Sequence, residues 1–354
     1  MIRTDPANSW GNLTTFTETL PERLGQLGYR TAAIGKWHLG LEDEDHPMNH
    51  GFDSFHGFLG DMMDDYYNHL RHGNNYMRKD REEIDPRGHA TDLFSQWAVE
   101  FIESSSQGDR AAQPWFLYLA YNAPHTPIQP PSDWLEKVKS RQPGITDRRA
   151  KLVALIEHMD AGIGRVLRSL RDSGMDERTI VVFTSDNGGQ INVGANNGSL
   201  RDGKQSMYEG GLRIPGCIRV PGETKAASST DAVCTTADFL PTLVELAGGR
   251  VDAPIDGISL RPLLADPDHA WPEREVYFVR REGGIRYAGL TIEGLLWGDL
   301  KLVHNLPTSQ LELFDLSIDP NETTDLAQER PKELREMVRR LQLHIQRGGA
   351  VPWQ

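Results

Sequence analysis

Trp115-Phe116-Leu117-Tyr118-Leu119-Ala120-Tyr121, running into Asn122-Ala123-Pro124-His125, decides the fold. A short and nearly continuous apolar run reads as a buried strand of a parallel sheet, and the polar residues after it as the strand's carboxyl end. Working outward, Leu93, Phe94, Trp97, Phe101 and Ile102 mark the inner face of a helix from Thr91 to about Glu103. Before that helix, Tyr29-Arg30-Thr31-Ala32-Ala33-Ile34 reads as a strand, and Phe16, Leu20, Leu24 and Leu27 as a short helix stopped by Gly28. Downstream, Leu152, Leu155, Ile156, Met159, Ile163, Val166, Leu167 and Leu170 keep helical spacing over 148–171. Thr179-Ile180-Val181-Val182-Phe183-Thr184 is expected to be a third buried strand, and Cys217-Ile218-Arg219-Val220 another. Strands alternating with helices imply an α/β fold with a mostly parallel central sheet flanked by helices. Past residue 265 come short strand-like pieces, Val276–Val279 and Leu300–Val303, and an amphipathic helix opening at Pro331. The expected organisation is a main α/β domain over 1–265 and a smaller α+β subdomain over 266–354.

The composition excludes several classes of function. The chain has 354 residues, and no apolar run approaches the roughly 18–20 residues of a membrane-spanning helix. With 38 basic and 51 acidic side chains, the net charge of −13 argues against a general nucleic-acid binder. Two cysteines, Cys217 and Cys234, make no disulfide framework and are expected to be small core residues.

In open α/β sheets ligands bind beyond the carboxyl ends of the strands. After the first strand come Lys36 and His38, after the second His125, after the third Asp186 and Asn187. Asp186 and Asn187 offer hard oxygen atoms suited to Ca²⁺ or Mg²⁺. Lys36 and Lys204 can neutralise an anion as point charges, and His38 and His125 can move protons near neutral pH. Together these groups suit an anionic ester whose leaving oxygen needs a proton.

Longer stretches carry a resemblance. Gly28-Tyr29-Arg30-Thr31-Ala32-Ala33-Ile34-Gly35-Lys36-Trp37-His38-Leu39-Gly40 is similar to the second signature of the type I sulfatases, of the alkaline-phosphatase-like superfamily. Gly51–Phe55 and Asp65-Tyr66-Tyr67 resemble the region just beyond that signature in arylsulfatase B-like members. Asn197–Lys204 and Tyr208–Pro215 resemble the family's substrate-lysine segment, and Ala237–Leu243, Leu311–Leu316 and Asp319–Glu322 its later landmarks. The resemblance implies hydrolysis of sulfate esters, aryl sulfates or sulfated sugars, by metal-assisted covalent catalysis. It implies a calcium ion on Asp186 and Asn187, with Mg²⁺ as the alternative. Lys36 and Lys204 would hold sulfate oxygens or the nucleophile, His125 would lie at the leaving oxygen, and His38 would help expel sulfate. It also implies a small sulfate-ester substrate, a sulfated glycan among the candidates, and a secreted, periplasmic or lysosomal setting. A phosphoesterase or phosphonate hydrolase of the same superfamily, or a non-catalytic anion-binding relative, are the rival readings.

The departures from the family pattern are as informative. Family members carry two further metal-binding aspartates and a Cys/Ser-x-Pro-x-Arg nucleophile motif, both before the second signature. Neither is in this sequence; Thr19-Leu20-Pro21-Glu22-Arg23 only imitates the spacing. The expectation is a chain lacking the first strand and the nucleophile, poorly soluble and inactive by itself. Eight acidic residues between Glu42 and Asp65 are expected to form a solvated loop. His69 and His72, which could share a helix face, lack the His-Glu-x-x-His pattern of a zinc site. Asn12-Leu13-Thr14, Asn197-Gly198-Ser199 and Asn321-Glu322-Thr323 fit the glycosylation sequon, the second within the expected active-site loop.

Overall fold

A computed structural model describes residue 13, residues 18–281 and residues 290–348. Phe16 and the Asn12 sequon lie outside the described residues. Strand β1 (Arg30–Lys36) is flanked by β2 (Ser54–Phe58) and β7 (Trp115–Ala120), both parallel to it. A small hairpin of β3 (Leu70–Arg71) and β4 (Asn74–Asn75) precedes β5 (Met77–Lys79) and β6 (Glu82–Glu83). The last two extend the sheet antiparallel, giving the mixed order β6-β5-β2-β1-β7. His69 and His72 fall at this hairpin, not on a helix.

Alternation along β1 gives the sheet two apolar faces. Ile34 joins Phe58, Met63, Met77, Phe94, Trp97, Ile102 and Leu155 on one side, while Ala33 joins Trp37, Phe52, Phe55 and Leu59 on the other. The first set is covered by helices α2 (Ala90–Ser105) and α4 (Asp147–Asp172). Thr19 and Glu22 form a capping box at α1 (Leu20–Gln26), and Thr146 caps α4. Helix α3 (Ser132–Arg141) fully buries only Val138, with Trp134 and Leu135 partly buried beside it against Ala150 and Ala154 of α4.

Two of the expected buried strands are corrected. Among the described residues strand β7 is hydrogen-bonded to β1 alone, and Tyr118 is 47% exposed. Strand β8 (Val181–Thr184) pairs, among the described residues, only with β9 (Gly216–Arg219), outside the five-stranded sheet, with Phe183 exposed. Apolar composition produces burial only where a neighbouring face covers it, and among the described residues these strands are covered incompletely. The cysteines are corrected too: Cys217 and Cys234 are both exposed.

The described residues divide into two compact units. One runs to Val181 and adds Ile218–His269; the other combines Val182–Cys217 with the residues from Ala270 onward. Besides the sheet, the first unit holds α6 (Phe239–Leu246) and α7 (Arg261–Ala265). The second holds the one-turn helix α5 (Glu209–Leu212) and an antiparallel sheet of β10 (Glu275–Arg281), β11 (Thr291–Trp297), β12 (Leu300–Asn305) and β13 (Gln310–Asp315) in that order. Helix α8 (Pro331–Gly348) lays Met337 and Leu341 against Leu295, Leu302 and Leu313 of this sheet. Among the described residues no helix is long and apolar enough to cross a membrane.

Candidate functional site

The first unit positions Lys36, His38 and His125. In the parallel register Gly35 stands opposite both Gly57 and Ala120, so the ends of β1 and β7 reach the same sheet edge together. Only glycine fits at 35: φ is +108°, and a Cβ there would lie 2.0 Å from the Ala120 carbonyl oxygen. Beyond β1 the pairing continues, with Trp37 N–H donating to Phe58 O and His38 N–H to Leu59 O. The Trp37 indole is buried and donates to the Asp45 carbonyl at 2.9 Å, locking the residue between Lys36 and His38. His38 itself sits at φ +58°, a left-handed conformation that non-glycine residues seldom adopt.

His125 follows β7 through a turn closed by its own N–H to Asn122 O. Its Nδ1 lies 2.9 Å from the Thr126 carbonyl, which can only accept, so Nδ1 carries a proton. The His125 carbonyl accepts from the hydroxyl of Tyr66 at 2.9 Å. Tyr66 is almost wholly buried, and burial pushes its phenol far up, so it stays a proton donor. Gln129 ties this corner together. Its side chain accepts from Tyr66 N–H and donates to Asp65, and its carbonyl takes the His89 Nε2 proton. The residues after the second signature therefore act by holding His125.

The second unit positions Asp186, Asn187 and Lys204. Gly188 N–H donates to Gly211 O, Gly210 N–H to Arg201 O, and Lys204 N–H to Gly189 O. A Cβ on Gly188 would lie 1.8 Å from Gly210 O, so the two glycine pairs touch backbone to backbone. Asn197 closes the loop, its Oδ1 accepting from Gly189 N–H while Nδ2 donates to the carbonyls of Gly189 and Asp202. That use of its side chain makes Asn197 a loop staple. Asp186 is exposed and Asn187 half-buried beside Lys204's loop, an oxygen-donor pair on a rigid backbone.

Another cluster was not foreseen. His89, Asp92 and His158 each offer a ligand atom within 4.8 Å of the others, the one such group of three among the described residues. Most of their polar atoms already have partners. His89 accepts from Thr91 N–H and donates to Gln129 O, while Asp92 Oδ1 takes His158 Nε2 at 3.1 Å and Arg165 at 2.7 Å. Burial holds His89 down at about 4, and the His158 and Arg165 bonds hold Asp92 at about 2. The signal spans two helices, α2 and α4, which is why no short motif announced it. The acidic stretch is corrected in part: Glu42, Asp43, Glu44, Asp53 and Asp64 are exposed as expected, but two members are not. Asp45 and Asp61 are buried, Asp61 grips Arg71 through two bonds of 2.8 and 2.9 Å, and Asp53 accepts from Thr31 N–H.

The family model described as Sulfatase matches residues 2–249, and a model for the C-terminal region of N-sulphoglucosamine sulphohydrolase matches residues 201–348. The chain belongs to the sulfatase family. Arylsulfatase J of Mus musculus is 32% identical over 260 residues, 70% of this chain and 42% of the relative. N-acetylgalactosamine-6-sulfatase of Canis lupus familiaris is 29% identical over 332 residues, 89% of this chain and 59% of the relative. This sulfatase-family chain thus spans about half the length of the curated relatives it matches. Among solved structures, Ps i-CgsB in complex with k-i-k-neocarrahexaose has a TM-score of 0.84 at 27% identity, covering 94% of this chain and 74% of that one. A protein solved with its substrate D-glucosamine-2-N,6-O-disulfate has a TM-score of 0.75 at 23% identity, covering 94% and 82% respectively, and shares the fold.

Proposed function

We propose that Lys36, His38, His125, Asp186, Asn187 and Lys204 act on one substrate, a sulfate ester of a sugar or an aryl alcohol, and serve its hydrolysis. The observation that carries this reading is family membership over a region containing all six residues, each with the chemistry the reaction needs. The names of relatives, N-acetylgalactosamine-6-sulfatase among them, and the oligosaccharide in the Ps i-CgsB complex favour a sulfated glycan.

Asp186 and Asn187 fit a hard divalent cation, since they present a carboxylate and an amide oxygen on a loop fixed through Gly188 and Gly189. Bound there, Ca²⁺, or Mg²⁺ as the alternative, would draw off negative charge from the sulfuryl group. The ammonium groups of Lys36 and Lys204 bind sulfate oxygens and offset charge as the ester bond breaks. His125, oriented by Thr126, donates the Nε2 proton to the departing sugar oxygen. His38, fixed by its backbone bond to Leu59, exchanges the proton that releases sulfate.

The sequence contains no Cys/Ser-x-Pro-x-Arg segment. We therefore propose that these 354 residues by themselves bind sulfate esters without turning them over. Calorimetric titration of the purified chain with 4-nitrocatechol sulfate, with and without Ca²⁺, tests the reading. Calcium-dependent binding without release of sulfate is expected, and tighter binding of the matching phosphate monoester would favour the phosphoesterase reading. Metal-dependent turnover by the purified chain would sink the inactivity.

A further inference from the structure

We propose that Lys301 is a positioning residue for Asp186, Asn187 and Lys204, acting through Glu209 and Glu322; the inference rests on the sulfate-ester reading only for what the positioned residues bind. Lys301 projects from β12 and is 1% exposed. An isolated ammonium at that depth would lose its hydration without compensation. Its Nζ donates to Glu209 Oε1 at 2.8 Å and lies 2.7 Å from Glu322 Oε1, the latter an ionic contact rather than an aligned hydrogen bond. The other Glu322 oxygen accepts the backbone N–H of Glu209 at 2.7 Å. Burial pushes the Glu322 carboxyl up, and Lys301 opposes that shift.

Glu209 is thus held by its side chain and its backbone at once. Two residues on, the Gly211 carbonyl takes the N–H of Gly188, the residue after Asn187. Gly210 reaches back to Arg201 O, and Lys204 N–H reaches Gly189 O. Gly188 and Gly210 meet with no room for a methyl group, so a displacement of Glu209 passes directly to the Asp186–Gly189 loop. Arg201 reinforces the assembly, lying 3.8 Å over the Tyr208 ring, pairing with Glu312 at 3.2 Å and donating to Glu322 O. A buried ion cluster generally stabilises less than apolar side chains of equal volume. What this one supplies is a fixed geometry for the loop, joining the Tyr208–Gly211 and Asp319–Glu322 segments through one lysine.

The test uses the full chain with Lys301→Met and Lys301→Arg, reading amide hydrogen exchange by segment and Ca²⁺ affinity by calorimetry. In Lys301→Met, exchange over 186–212 should rise about tenfold or more, while segments 30–36 and 115–120 stay unchanged. Calcium affinity should fall roughly 10–100-fold, as for other residues that orient metal ligands, and Lys301→Arg should recover part of both effects. If the wild type takes up no Ca²⁺, the sulfate-ester reading fails while the exchange pattern still decides the positioning. Should Lys301→Met not fold, Glu322→Gln carries the same expectation, because it removes one charge and keeps the shape. Unchanged exchange over 186–212 in a folded variant, or an equal rise across the whole chain in both Lys301→Met and Glu322→Gln, would overturn the proposal.

Discussion

The strand-end candidate residues of the first unit and the loop candidate residues of the second are held by different physics. Lys36, His38 and His125 owe their places to parallel register and buried aromatic packing: Gly35 opposite Ala120, the locked Trp37, and the Tyr66 hydroxyl under His125. Asp186, Asn187 and Lys204 owe theirs to glycine contacts, an asparagine staple and ions buried beneath the loop. A sheet fixes residues through many repeated bonds, so one lost bond is shared out. A loop pinned at a few points concentrates the effect of each change.

That contrast can be broken most severely at Gly35. Gly35→Val places atoms against the Ala120 carbonyl at a positive φ, and should lower stability by more than ~3 kcal/mol, read as a collapse of the urea midpoint. Asn197→Ala comes next, because it strips the Gly189 N–H of its partner and removes a donor from the carbonyls of Gly189 and Asp202. A loss of ~2 kcal/mol is expected, with faster exchange confined to the 186–204 loop.

Acid should separate the two units in another way. His89 in the first unit is held at about 4, below the ordinary value for histidine, so the unfolded chain binds its proton first. Stability from this group is complete above about pH 6.5 and is lost as pH falls towards about 4. Replacing His89 with Asn, which can still cap α2, should flatten that part of a urea-midpoint profile. A smaller effect, about 1 kcal/mol, is expected for Tyr66→Phe, which removes one hydrogen bond and leaves the ring packed. Arg250→Ala should leave the midpoint unmoved, since its partner Asp252 and the guanidinium are both in solvent.

The same difference governs what could be read without coordinates. Strands β1 and β7 and helices α4 and α8 follow from apolar spacing to within a few residues, and the strand-end groups Lys36, His38 and His125 follow from the strands. Strand β2 did not, because Ser54-Phe55-His56-Gly57-Phe58 is neither continuously apolar nor cleanly alternating, yet it pairs with β1 along its whole length. The Lys301 cluster was also out of reach. It links residues 92 and 113 positions apart, with charges that composition alone assigns to the surface. Asp61 misled for the same reason: it looks like solvated charge until Arg71 folds over it.

The central proposal is that Lys36 and Lys204 both bind the sulfate ester. A double-mutant cycle with Lys36→Ala and Lys204→Ala, reading the affinity for 4-nitrocatechol sulfate in saturating Ca²⁺, tests it most directly. Each single variant should bind about tenfold or more weakly, and the double variant should lose less than the product of the two. Unchanged affinity in either single variant would contradict the account.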